Sequence, residues 1–174
     1  MGVDIYGWSK VRLAENQTFN ADGEPLEGED AHVIYINDAF PGRLTEWPHK
    51  SVVVVDGDYE HCYSRAYSGY NRWRDELAKL AGYPLTEYEG YAGSKSSCYA
   101  AGAWEVLEGP FWELINFSDC EGMIGTAICQ KLAKDFADWQ ERADLVEDEH
   151  WRQGYAGMRK AFEIGSNGGL VRFG

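Results

Sequence analysis

Apolar residues recur at steps of three and four in some stretches and alternate or run together in others, and these two patterns divide the chain into predicted helices and strands. From Thr126 onward, Ile128, Leu132, Phe136, Trp139 and Ala143 fall on one face of a 3.6-residue period, with Gln130, Lys134, Asp138, Glu141 and Arg142 opposite. This predicts a helix from Thr126 to Ala143. Tyr70, Trp73, Leu77 and Leu80 predict a second helix over 67–81, stopped by Gly82 and Pro84. Trp151, Tyr155, Met158 and Phe162 predict another before Gly165, and Cys98, Ala101, Trp104 and Leu107 suggest one interrupted by Gly102. Phe111 to Phe117, following Gly109-Pro110, fits a short helix or an extended core segment equally well.

Strands are predicted mainly in the first third. Val3, Ile5, Val11 and Leu13 alternate loosely around Gly7, and 32–37 and 51–56 follow as further strands, the latter with four consecutive valines. Such a run predicts a central strand covered on both faces. Leu170 to Phe173 is expected to add an edge strand, while Asn16 to Asp30, acidic and carrying Asp22-Gly23 and Gly28, reads as a loop or hairpin tip. The pattern predicts a single α+β domain with a small antiparallel or mixed sheet and three to four helices, the last two packing on it as an antiparallel pair.

Composition narrows the function classes. The 174 residues are enough for one core without staples. Sixteen Lys and Arg stand against 29 Asp and Glu, a net charge of −13 that repels nucleic acid and anionic membranes and attracts basic protein surfaces. Seven Trp and eleven Tyr suit a heavy core or an aromatic contact surface. MGVDIYGW has neither the apolar run of a signal peptide or anchor nor the Ser/Thr of a myristoylation site, so a cytoplasmic location is expected. Cys62, Cys98, Cys120 and Cys129 then stay reduced, and their spacing matches no zinc site. No cofactor is implied.

Four groups of residues carry candidate chemistry. In Ser118-Asp119-Cys120-Glu121-Gly122, expected to feed a helix N-terminus, Cys120 is a candidate nucleophile with Asp119 or Glu121 in support and His61 or His150 as base. The same residues also fit an S-x-x-E capping box around a packed thiol. Asp56, Asp58 and His61 could hold a divalent metal or simply form a polar turn. Arg72 and Arg74 with Tyr70, Trp73 and Trp112 could line a pocket for a nucleotide-like anion, although helical spacing directs Trp73 to the core. Finally, Asp22, Glu24, Glu27, Glu29 and Asp30, and Asp144, Glu147, Asp148 and Glu149, are candidate docking acids.

The segments YSGYNRWRDELAKLAGYPLTEYE and GPFWELINFSDCEGMIGTAICQKLAKDF resemble those of small proteins encoded by bacteriophages and prophages, a similarity that spans roughly residues 67–140 and is most specific at FSDCEG. That group has no established activity, so no catalytic residue is carried over. The resemblance implies an accessory factor acting on host systems. The leading expectation is therefore an acidic protein that binds and inhibits a host protein with a basic surface; a small-molecule or nucleotide sequestering protein and a Cys120-centred hydrolase are the alternatives.

Overall fold

The computed structural model describes residues 1–26 and 31–174, so the candidate acids Glu27, Glu29 and Asp30 lie outside the described residues. The fold is α+β, and every strand pairing described is antiparallel. The main sheet has the order β5-β1-β9-β8, made of β1 (Gly2–Trp8), β5 (Tyr59–Ala66), β8 (Gly122–Ile124) and β9 (Leu170–Phe173). A three-stranded sheet places β4 (Val52–Val55) between β2 (Val11–Leu13) and β3 (Ala31–Val33). A hairpin of β6 (Thr86–Glu89) and β7 (Lys95–Cys98) stands apart.

Several expectations are corrected by these pairings. β9 is an interior strand, paired with β1 on one side and β8 on the other, because its side chains are almost all buried. The four-valine strand is central, but only Val52 and Val53 are fully covered. The strand expected at 32–37 is confined to Ala31–Val33. The polar stretch around His61 forms the eight-residue strand β5, whose mixed side chains hid its alternation.

The helices are α1 (Tyr67–Leu80), α2 (Tyr99–Trp104), α3 (Trp112–Ile115), α4 (Thr126–Asp138), α5 (Gln140–Asp144) and α6 (Glu149–Gly165). The helix expected to run unbroken to Ala143 breaks at Trp139, and β8 separates the FSDCEG turn from α4. Cys120 thus does not sit at a helix N-terminus. The free N–H of Ala127 at the start of α4 is met instead by Glu46 Oε1 at 2.9 Å. α6 lies close over β1 and β5, where a Cβ at Gly157 would come within 2.5 Å of the Cys62 carbonyl. The core beneath it is aromatic: Trp73 and Trp151 stack with centroids 6.1 Å apart, and each indole donates to the other's backbone carbonyl. Among the described residues no helix is long and apolar enough to cross a membrane.

Candidate functional site

A groove of about 510 Å³ opens where α1, α2, α3, the loop ending at Arg43 and the 117–119 turn converge. The turn is shaped by Ser118, whose buried Oγ accepts from the N–H groups of Cys120 and Glu121 at 3.2 and 3.1 Å. The S-x-x-E pattern therefore makes capping-type bonds, but a strand follows it. Asn71 and Arg74 lie one turn apart on α1 and grip the turn from the side. Asn71 Nδ2 donates to Asp119 Oδ2 at 2.6 Å, and Arg74 donates to Asn71 Oδ1 and to the Phe117 carbonyl.

Arg43 closes the opposite wall. Its side chain leaves the residue only 8% exposed, with the guanidinium carbon 4.5 Å from the centroid of Trp112. Nε and one N–H of the terminal nitrogens donate to the Glu113 and Asn116 carbonyls, both at 3.0 Å. Those carbonyls supply hydrogen bonds but no counter-charge, and three of the five guanidinium N–H groups have no protein acceptor among the described residues. Burial lowers the Arg43 pKa, opposed by the charge of Glu113, and an arginine so placed stays cationic at neutral pH. The Glu113 carboxylate itself is engaged by Lys131 at 2.5 Å. Trp112 is held at this wall by its indole N–H, shared between the Ala103 and Val106 carbonyls at 3.0 and 2.9 Å.

Of the residues singled out in the sequence, the groove unites Arg74, Trp112 and Asp119, and adds Arg43, Trp104 and Phe40. Arg43 lies in a Pro-Gly turn region without periodicity, and its neighbours Gly42, Leu44, Thr45 and Glu46 carry no signal of its burial. The expected ligand role of Tyr70 and Trp73 is corrected: both rings are enclosed in the core, Tyr70 with Arg74 5.3 Å above it, because their helical spacing puts them on the inner stripe of α1. Arg72 points to solvent on the other face.

The catalytic candidates do not assemble. Cys120 is exposed, with Sγ 3.4 Å from Ser118 Oγ, and no described contact joins it to a histidine. Glu121 Oε1 accepts from the Tyr35 hydroxyl at 3.3 Å instead. His61 pairs with Asp4 at 3.1 Å between β5 and β1, and His150 lines a separate cavity beside Cys62. His49 is linked to the turn through Tyr35, its ring 5.7 Å from the Tyr35 ring, with Nδ1 accepting from the Ile36 N–H. The metal candidates also part company: Asp56 binds Arg12 at 2.6 Å, Asp58 accepts from Ser9 Oγ at 3.0 Å, and His61 turns to Asp4. Among the described residues no three His, Cys, Asp or Glu form a metal-holding group.

The candidate docking acids are solvent-facing. Asp22 and Glu24 sit in a turn organised by the Asn20 side chain, Asp148 caps α6 through the Trp151 N–H, and Asp144, Glu147 and Glu149 are exposed, as is Leu145. Beside the groove, Trp104, Val106 and Leu107 form an exposed apolar segment interleaved with Glu105 and followed by Glu108, with Leu107 91% exposed.

The chain matches no protein-family model, no curated protein and no solved structure. What defines it is its own geometry: an α+β domain with an arginine- and tryptophan-lined groove.

Proposed function

We propose that this protein binds, without transforming, a small anionic molecule carrying a flat ring, and that the Arg43–Arg74–Trp112 groove is where it does so. The observation that carries this reading is Arg43, a nearly buried cation with no carboxylate paired to it among the described residues, lining a cavity walled by aromatic rings. A buried charge is costly unless compensated, and an anionic ligand compensates it. The groove's size lies within the range of small-molecule sites. Binding of this kind suits the sequestering role foreseen as an alternative from the sequence.

Thermal unfolding with a panel of dicarboxylates, sugar phosphates and nucleotides tests it. At a hundredfold excess over Kd a ligand adds about 2.7 kcal/mol, raising Tm by about 5–10 °C in a chain of this size. Arg43→Met is expected to abolish that rise, and a panel in which no anion moves Tm at millimolar concentration would sink the proposal.

A second reading, docking on a host protein with a basic surface, is favoured by the exposed Trp104–Leu107 segment with Glu105 and Glu108 and by the −13 charge. It expects a stoichiometric partner in a pull-down from bacterial lysate, lost as salt rises and lost with Leu107→Asp. Capture insensitive to both changes would remove it.

A further inference from the structure

Resting on the anion-binding reading just given, we propose that the occupant is a nucleoside phosphate lying across Trp104, with its phosphate toward Arg43 and Arg74 and the hydrogen-donating edge of its base toward Asp119 and Asp75. Two cavities adjoin at this place. The first, about 510 Å³, carries Arg43 and Trp112, the second, about 420 Å³, carries Asp75 and Tyr88, and both are lined by Arg74, Trp104 and Asp119.

With Arg74 and Asp119 common to both, the charged walls of the two cavities differ by Arg43 in the first and Asp75 in the second. The first presents two guanidinium groups, which suit phosphate through several N–H donors at once. The second presents two carboxylates between aromatic rings and so asks for a flat group rich in N–H donors. Asp119 is the hinge of this arrangement: Oδ2 takes the Asn71 amide at 2.6 Å, while Oδ1 has no protein donor among the described residues. Asp75 is fixed by accepting the Ala100 N–H at 2.8 Å. Trp104 meets Tyr88 edge to face at 5.4 Å and is still 52% exposed, which leaves ring surface for a base to stack on.

A nucleotide meets all of these demands in one molecule. Its phosphate and its base lie at opposite ends of a ribose, and ring N–H or amino groups on the base match a carboxylate acceptor. A sugar phosphate satisfies the first cavity alone, and an uncharged nucleoside only the second. The net charge of −13 disfavours a polynucleotide, whose many phosphates extend beyond the groove, and leaves the monomer as the fitting form.

Calorimetric titration of the full chain with GMP, AMP, CMP, UMP, guanosine, ribose 5-phosphate and inorganic phosphate decides the matter. At least one nucleotide is expected to bind about tenfold or more tightly than both guanosine and ribose 5-phosphate, since each cavity contributes a charge-assisted contact. Asp119→Asn, which keeps an acceptor for Asn71, is expected to cut nucleotide affinity by about tenfold and to leave ribose 5-phosphate binding unchanged. Arg43→Met should weaken both, with an unfolding curve for each variant establishing that it folds. If ribose 5-phosphate or another ring-free anion binds as tightly as any nucleotide and Asp119→Asn changes nothing, the nucleotide assignment is overturned while anion binding stands. If none of the compounds binds, both fall.

Discussion

Arg43 and Lys131 show how single cations fix this site in two different ways. Arg43 is buried against carbonyls and a ring, whereas Lys131 gathers the Gly109 carbonyl, Glu113 and Asp135 at 2.6, 2.5 and 2.8 Å. Asp135 in turn accepts the N–H of Phe111, a buried aromatic held at the positive φ of 56° that opens α3. Lys131→Met leaves two poorly exposed acids and a carbonyl without their cation, and is expected to cost about 1–3 kcal/mol. Urea unfolding should show the midpoint fall by that amount, and because Trp112 follows directly on Phe111, ligand affinity should fall as well. An unchanged midpoint would mean that the 109–113 segment is anchored by other contacts. Tyr83 belongs to the same region, donating to the Pro110 carbonyl at 3.0 Å. Burial first, then the charges of Glu113 and Asp135, push its pKa up to about 12, and burial also raises those of Tyr63, Tyr70 and Tyr155. A raised tyrosine pKa means that the folded state holds its proton while the unfolded chain gives it up near pH 10. Stability from these groups is therefore complete below pH 10 and is lost as pH climbs from 10 toward 12. Thermal unfolding between pH 9 and 11.5 should show that decline, with Tyr83→Phe less steep; a flat profile would contradict it.

Among the elements, α6 sets how closely the helical layer approaches the main sheet. Gly154 and Gly157 face Tyr63, Trp73 and the Cys62 carbonyl at distances that leave no room for a side chain. Gly157→Ala is expected to cost about 1–3 kcal/mol through overpacking against backbone that cannot yield, readable as a lower Tm, while an unaltered Tm would show that α6 can shift outward. This glycine pair lies inside a sequence whose period announced the helix plainly, yet the need for glycine there is a property of the sheet below it. The same division runs through the fold. α1, α4 and α6 were legible because their apolar stripes are long enough to express a 3.6-residue period. β5, β7 and β8 were not, since eight mixed residues, KSSC and three residues carry no readable alternation. The pairing partners of β9 lie far away in sequence, β1 at the opposite end of the chain and β8 beyond the whole of α4 to α6, so an interior strand read as an edge. In the site, Arg74, Trp112 and Asp119 could be named from residue type and local context, but Tyr70 and Trp73 share their helix and belong to its inner stripe. Arg43 was invisible, because its burial is made by α3 and not by its own neighbours in sequence.

Taken as a whole, the molecule is strongly acidic, yet Arg43 and Arg74 converge on a groove. The long-range field slows the approach of an anion, so retention in such a groove depends on short-range contacts with Arg43, Arg74 and Trp112. Binding should consequently weaken only modestly with added salt, unlike the docking of a basic protein on the acidic surface, which should weaken steeply. The measurement that tests the central claim most directly is a two-dimensional NMR titration with a nucleoside monophosphate, following the indole N–H of Trp104 and Trp112 and the Nε–H of Arg43 and Arg74. The account predicts saturable shifts of these four signals while the indole of Trp8, enclosed in the second core cluster, stays fixed. Resonances that remain unmoved at millimolar ligand, or saturable shifts confined to other parts of the chain, would contradict it.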